Sequence, residues 1–291
     1  MRALPAIVSA TFLWIFAVAE LEARALDGAF RELLPHPTEA ERQVELIWIE
    51  PEGEGPWPAV LFVHGHQFPE RPGGRVYIER RVLQELAAHG YLAAAVSQPG
   101  YGASDGPPDF CGPVSQGAVR GALTALRGHP RVDADRIALY GGSRGAIVSS
   151  MVATVEPTLA ALVLRGGIYD LEDAYHRMPD DFGGKHNLEK EAGTSKQAFL
   201  DRSATLAPDE IYVPTLFFHG QQDPISPVDH ARRLARRIHR AGTPVELAIF
   251  QDVGHRIPWE LRRDKLLEFL EKSLRLPTPR TLPGGRSRSG R

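Results

Sequence analysis

Residues Ala138 to Ser150 read ALYGGSRGAIVSS. At the centre, Gly141-Gly142-Ser143-Arg144-Gly145 fits G-x-S-x-G. The five residues alone say little. With Gly and Ser at about 7% each, chance supplies roughly one match per ten chains of this length. The flanks decide the reading. DRIALYGG, from Asp135, is a short apolar run that suits a buried strand, and RGAIVSSMVATV, from Arg144, suits a helix. A strand, a turn of tiny residues and a helix starting at once are the setting that lifts a serine hydroxyl above the edge of a sheet.

Working outward, the same alternation repeats. Strands are expected in VELIWIE (from Val44), PAVLFVHG (from Pro58), YLAAAVSQPG (from Tyr91), LAALVLRGG (from Leu159), PTLFFHG (from Pro214) and PVELAIFQ (from Pro244). Helices are expected from Gly74 to Gly90, Ser115 to Gly128, Asp229 to Gly242 and Pro258 to Leu274. Short, nearly continuous apolar strands alternating with helices imply an α/β fold. Its central sheet of about eight strands should be mostly parallel and covered on both faces. From Tyr169 to Val213 the rhythm stops and charge is dense, which marks an insertion, a cap or lid near 169–213.

The chain has 291 residues, 43% of them hydrophobic and 24% charged, enough for one large core. A formal net charge of −2 offers no reason to expect a nucleic-acid partner. The single cysteine, Cys111, excludes an intrachain disulfide and a cysteine-based zinc site, and reads as a bystander thiol. At the N-terminus Arg2 precedes an uncharged run from Ala3 to Ala19. Two small-x-small sites follow, Ala17-Val18-Ala19 and Ala23-Arg24-Ala25. Residues 1–25 therefore read as a signal peptide or N-terminal anchor, and the protein as exported (periplasmic or secreted) or membrane-anchored. The catalytic domain is expected over 26–276. Residues 277–291, rich in Pro, Gly, Ser and Arg, read as a disordered basic tail.

In open parallel sheets, ligands bind beyond the carboxyl ends of the strands. The strand ending at Gly142 delivers Ser143, a candidate nucleophile. The strand ending at Gly220 delivers Asp223, able to orient a histidine or, in the plainer alternative, to cap the next helix. The strand ending near Gln251 delivers His255, a candidate base. Asp252 and Asp170 also lie near strand ends and compete for the role of the acid. The strand ending in HGH delivers His64 and His66. The backbone N–H groups of His66 and Arg144 are the expected oxyanion donors. A metal reading of His64 and His66 lacks accompanying ligands, so neither metal nor cofactor is expected.

The chain order Ser143, Asp223, His255 differs from the chymotrypsin and subtilisin orders and is that of the α/β-hydrolases. Together PAVLFVHGH, QPGYGASDGP, RIALYGGSRGA and PTLFFHGQQDPISP…FQDVGHRI resemble the α/β-hydrolase superfamily. They are similar in particular to the catalytic domain of the prolyl oligopeptidase family of serine peptidases and to dienelactone hydrolase-like esterases. The resemblance runs from about Val44 to Leu274. It implies a serine hydrolase with Ser143 as nucleophile, His255 as base and Asp223 as orienting acid. Its substrate would be a small molecule or short peptide with an ester or amide bond. Three departures bear on peptide specificity and not on hydrolysis. There is no room for the β-propeller of the large peptidases, H-G-H replaces the usual H-G-G, and Ser143 stands where dienelactone hydrolases have cysteine. The alternatives are a carboxylesterase without peptidase activity and a non-catalytic binding module on the same fold.

Overall fold

The computed structural model describes residues 28–274. The segments read as signal peptide or anchor and as basic tail lie outside the described residues. The strands are β1 (Phe30–Pro35), β2 (Gln43–Ile49), β3 (Trp57–Val63), β4 (Leu92–Val96), β5 (Val132–Gly142), β6 (Ala161–Arg165), β7 (Thr215–Gly220) and β8 (Val245–Phe250). They form one sheet in the order β1-β2-β4-β3-β5-β6-β7-β8. The first two strands pair antiparallel to their neighbours, and all pairings from β4 onward are parallel. This is the eight-stranded, mostly parallel sheet that the sequence implies.

Helices α1 (Arg75–Glu79), α2 (Val82–Ala88) and α9 (Trp259–Leu274) cover one face. Helices α3 (Pro113–Gly128), α4 (Arg144–Val155) and α8 (Val228–Arg240) cover the other. The period-2 alternation of strand side chains splits the core accordingly. Along β3, Ala59, Leu61 and Val63 face α3 and α4, whereas Val60 and Phe62 face α1, α2 and α9, all fully buried. Burial on both faces explains why the parallel strands read as continuous apolar runs.

Three features differ from the sequence reading or extend it. The helix expected over 74–90 is two helices, because Arg81 adopts a left-handed conformation (φ 56°) between α1 and α2. The break lets Tyr77 and Ile78 on one side, and Val82, Leu83 and Leu86 on the other, enter the same core. An edge strand, β1, precedes Val44. The insertion is helical, with α5 (Leu171–Arg177), α6 (Gly183–Glu191), α7 (Lys196–Leu200) and two short 3₁₀ turns.

Candidate active site

Ser143 stands between β5 and α4 with φ 55° and ψ −118°, a conformation that costs a side-chain-bearing residue about 1–3 kcal/mol. Backbone hydrogen bonds hold it there. Ser143 N–H donates to Arg165 O at 2.7 Å, and Ala146 N–H donates to Ser143 O at 2.9 Å. The tiny neighbours are sterically required. A Cβ on Gly145 would overlap the carbonyl oxygen of Val63, and one on Gly65 would lie 2.9 Å from Ser143 Cβ. The loop after β3 thus runs directly against the serine.

Ser143 O–H donates to His255 Nε2 at 2.8 Å, and His255 Nδ1–H donates to Asp223 Oδ2 at 2.8 Å. The other carboxylate oxygen accepts from the N–H groups of Ile225 and Ser226, both at 2.9 Å. Burial disfavours the charged carboxyl of Asp223. His255 and these two amides outweigh burial and hold the group below the usual carboxylate range. Arg165 Nη1 donates to His255 O at 3.2 Å and steadies the histidine loop. Ser143, His255 and Asp223 therefore form one hydrogen-bonded line reaching from the ends of β5, β7 and β8.

The rival carboxylates are elsewhere. Asp170 caps α5, accepting the Asp173 N–H at 3.1 Å, and Asp252 is exposed in the turn after β8. His219 escaped the sequence reading because its β7 run looks merely apolar. Its Nε2–H donates to Ser226 O at 2.6 Å and lies 3.5 Å from Asp223 Oδ2. Burial keeps it neutral, so it braces the Asp223 loop without adding charge.

His64 and His66 differ sharply. His64 is buried, with Nδ1–H donating to Gly65 O at 2.8 Å and Nε2 accepting the Gln98 N–H at 3.0 Å. Burial lowers its pKa to about 4. Both ring nitrogens are used in fixing the loop after β3, which leaves neither for a metal. His66 is exposed, its Nδ1 3.1 Å from the Tyr101 hydroxyl. Its pKa is lowered to about 4 by desolvation and by Arg144 and Arg71. Arg144 is the first residue of α4, so its N–H has no partner within the helix and sits at the positive end of the helix dipole.

Cys111 is buried, and its Sγ–H donates to Arg144 O at 3.4 Å. Burial pushes its thiol up to about 12, so it is no nucleophile. Among the described residues, Asp173, Asp229 and His230 are grouped closely enough to share an ion. Arg177 and Arg233 already pair with both carboxylates there, which supplies the positive charge such a group needs.

Comparison with known proteins identifies the family. Residues 119–275, more than half of the chain, match the family model "Prolyl oligopeptidase family". Among curated proteins, the "Uncharacterized peptidase YtmA" of Bacillus subtilis is 25% identical over 224 residues, covering 74% of this chain and 82% of that one. The "Alpha/beta hydrolase domain-containing protein WAV2" of Arabidopsis thaliana is 28% identical over 243 residues, covering 78% and 73%. Among solved structures, a puromycin-hydrolyzing peptidase of Mycobacterium tuberculosis superposes with a TM-score of 0.73 at 24% identity. That match covers 85% of this chain and only 39% of the peptidase. Esterase Pf2001 of Pyrococcus furiosus superposes with a TM-score of 0.68 at 18% identity, covering 87% and 95%. At these identities the two superpositions establish a shared fold.

Proposed function

For a chain that belongs to the prolyl oligopeptidase family, and so is a serine hydrolase, we propose that Ser143, His255 and Asp223 carry out two-step acyl transfer on small esters and amides. The observation that carries this reading is the unbroken hydrogen-bonded line, 2.8 Å and 2.8 Å, from Ser143 Oγ through the imidazole to Asp223. His255 Nε2 takes the serine proton as Oγ attacks a carbonyl carbon. Asp223 holds the Nδ1–H and stabilises the imidazolium. The N–H groups of Arg144 and His66 receive the developing oxyanion. His255 then returns the proton to the leaving alcohol or amine, and water repeats the sequence to release the acid. Esters are the faster substrates in this reading, which the near full-length match to the Pyrococcus esterase supports. Amide cleavage is supported by the peptidases among the relatives.

A fluorophosphonate probe should label the purified protein, and Ser143→Ala should abolish labelling. Labelling that persists in Ser143→Ala would remove Ser143 from the reaction. A panel of p-nitrophenyl esters beside aminoacyl anilides ranks the two substrate classes.

A further inference from the structure

The insertion is fastened to the elbow through Arg144, and hydrolysis as described makes no use of that side chain. Arg144 Nη1 donates to Glu191 Oε2 at 2.8 Å. The side chains are only 10% and 11% exposed, so this is a desolvated pair and not a surface one. The guanidinium also stacks on the Phe110 ring, 4.0 Å from its centroid. Phe110 and Cys111 both hold positive φ, 47° and 68°. That loop is pinned by Arg202, whose three donors reach Phe110 O, Asp109 O and Ala198 O in α7, each at 2.8 Å. Two elements of the insertion thus converge on Arg144, α6 through Glu191 and α7 through Arg202 and Phe110. Glu191 is the last residue of α6, whose only buried residue is Leu188, so apolar packing alone holds that helix weakly.

We propose that Glu191 is a positioning residue: its pairing with Arg144 docks the insertion on the elbow and fixes the first oxyanion donor, the Arg144 N–H. This rests on the reading of Ser143 and Arg144 given above. An oxyanion donor acts on the transition state and not on the bound substrate, so its displacement lowers kcat and spares KM. Removing one partner of a buried pair strands a charge, whereas removing both leaves a neutral site. The double variant lacks the same pairing, so it should be no slower than Glu191→Leu alone.

The test compares kcat and KM on a p-nitrophenyl ester, with the rate constant of fluorophosphonate labelling, in four proteins: wild type, Glu191→Leu, Arg144→Met and the double variant. Losing a whole oxyanion donor costs about 100-fold or more, so a displaced one in Glu191→Leu should cost roughly 10- to 30-fold in kcat, with KM held within about 2-fold. The double variant should stay within roughly 3-fold of Glu191→Leu and fall well short of the product of the two singles. Glu191→Gln, which keeps shape and an acceptor but loses charge, should fall between and serves if Glu191→Leu fails to fold. Wild-type kcat in Glu191→Gln, a loss confined to KM, or a double variant as slow as the product of the two singles would overturn the proposal. A wild-type protein that the probe does not label would instead bring down the reading of Ser143 on which it rests.

Discussion

The carboxyl edge of the sheet and the helical insertion above it are built on different principles. The edge is held by apolar strands with fully buried side chains such as Leu61, Phe62, Ile137 and Leu139, and by glycines that allow chain to pass against chain. Its polar residues sit where strands end, and local constraints aim them. In the insertion, Leu171, Ala174 and Phe199 join the core but α6 buries one residue, and long-range polar contacts add fastening: Arg144 with Glu191, Arg202 with three carbonyls, and Arg233 with Asp173. The first arrangement fixes atoms to the precision that proton transfer demands. The second leaves a docked layer that can be retuned through a few charges.

Four perturbations test that contrast, the largest effect first. Asp223→Asn keeps the shape of the edge and removes the charge that holds the Nδ1–H tautomer of His255. Turnover of a p-nitrophenyl ester should drop by about 10⁴-fold with little change in melting temperature. If Asp223→Asn retained near-normal turnover, the edge would owe its order to something else. Gly65→Ala places a methyl group 2.9 Å from Ser143 Cβ. A misplacement of that kind should cost roughly 100-fold in kcat while the fold survives. Far-UV circular dichroism and kinetics on the same sample separate the two.

Arg202→Met acts on the insertion instead. It removes the Arg202 donors from the buried carbonyls of Phe110 and Ala198, while Asp109 O keeps the Gly112 N–H, and a loss of about 2–3 kcal/mol in stability is expected, with faster amide exchange in α7 and in residues 109–112. Exchange that quickens equally in β5 and β7 would contradict the division into two layers. The last perturbation is one of pH. His64 is buried and neutral, its pKa lowered from 6.5 to about 4. Between those values the unfolded chain binds a proton that the folded chain refuses. Stability therefore falls as pH drops from 6.5 towards 4, by up to about 1.4 kcal/mol per unit from this residue. His64→Asn should flatten that limb in denaturant titrations.

The contrast also explains what was legible in the sequence. Ser143, Asp223 and His255 could be placed because each follows an apolar strand, and strand ends converge in a parallel sheet. Gly141 and Gly145 were legible because crowding leaves only glycine. The break at Arg81 was hidden, since neither Gly nor Pro marks it and the apolar spacing runs through it. Strand β1 pairs only with β2 at the sheet's edge and leaves much of its length exposed, so it lacks the apolar run that betrays the others. Gln98 follows β4 and could have been found by the same strand-end rule. Glu191 could not. Its partner is 47 positions away, and one charged residue in a charged helix carries no mark of being buried.

The most direct measurement is to trap the acyl-enzyme. Wild-type protein mixed with a p-nitrophenyl ester, quenched in acid within the first turnover and digested, should show the acyl mass on the peptide containing Ser143. In Asp223→Asn that adduct should form far more slowly. No adduct during turnover, or an adduct on another residue such as Ser150, would contradict the assignment of Ser143 as nucleophile.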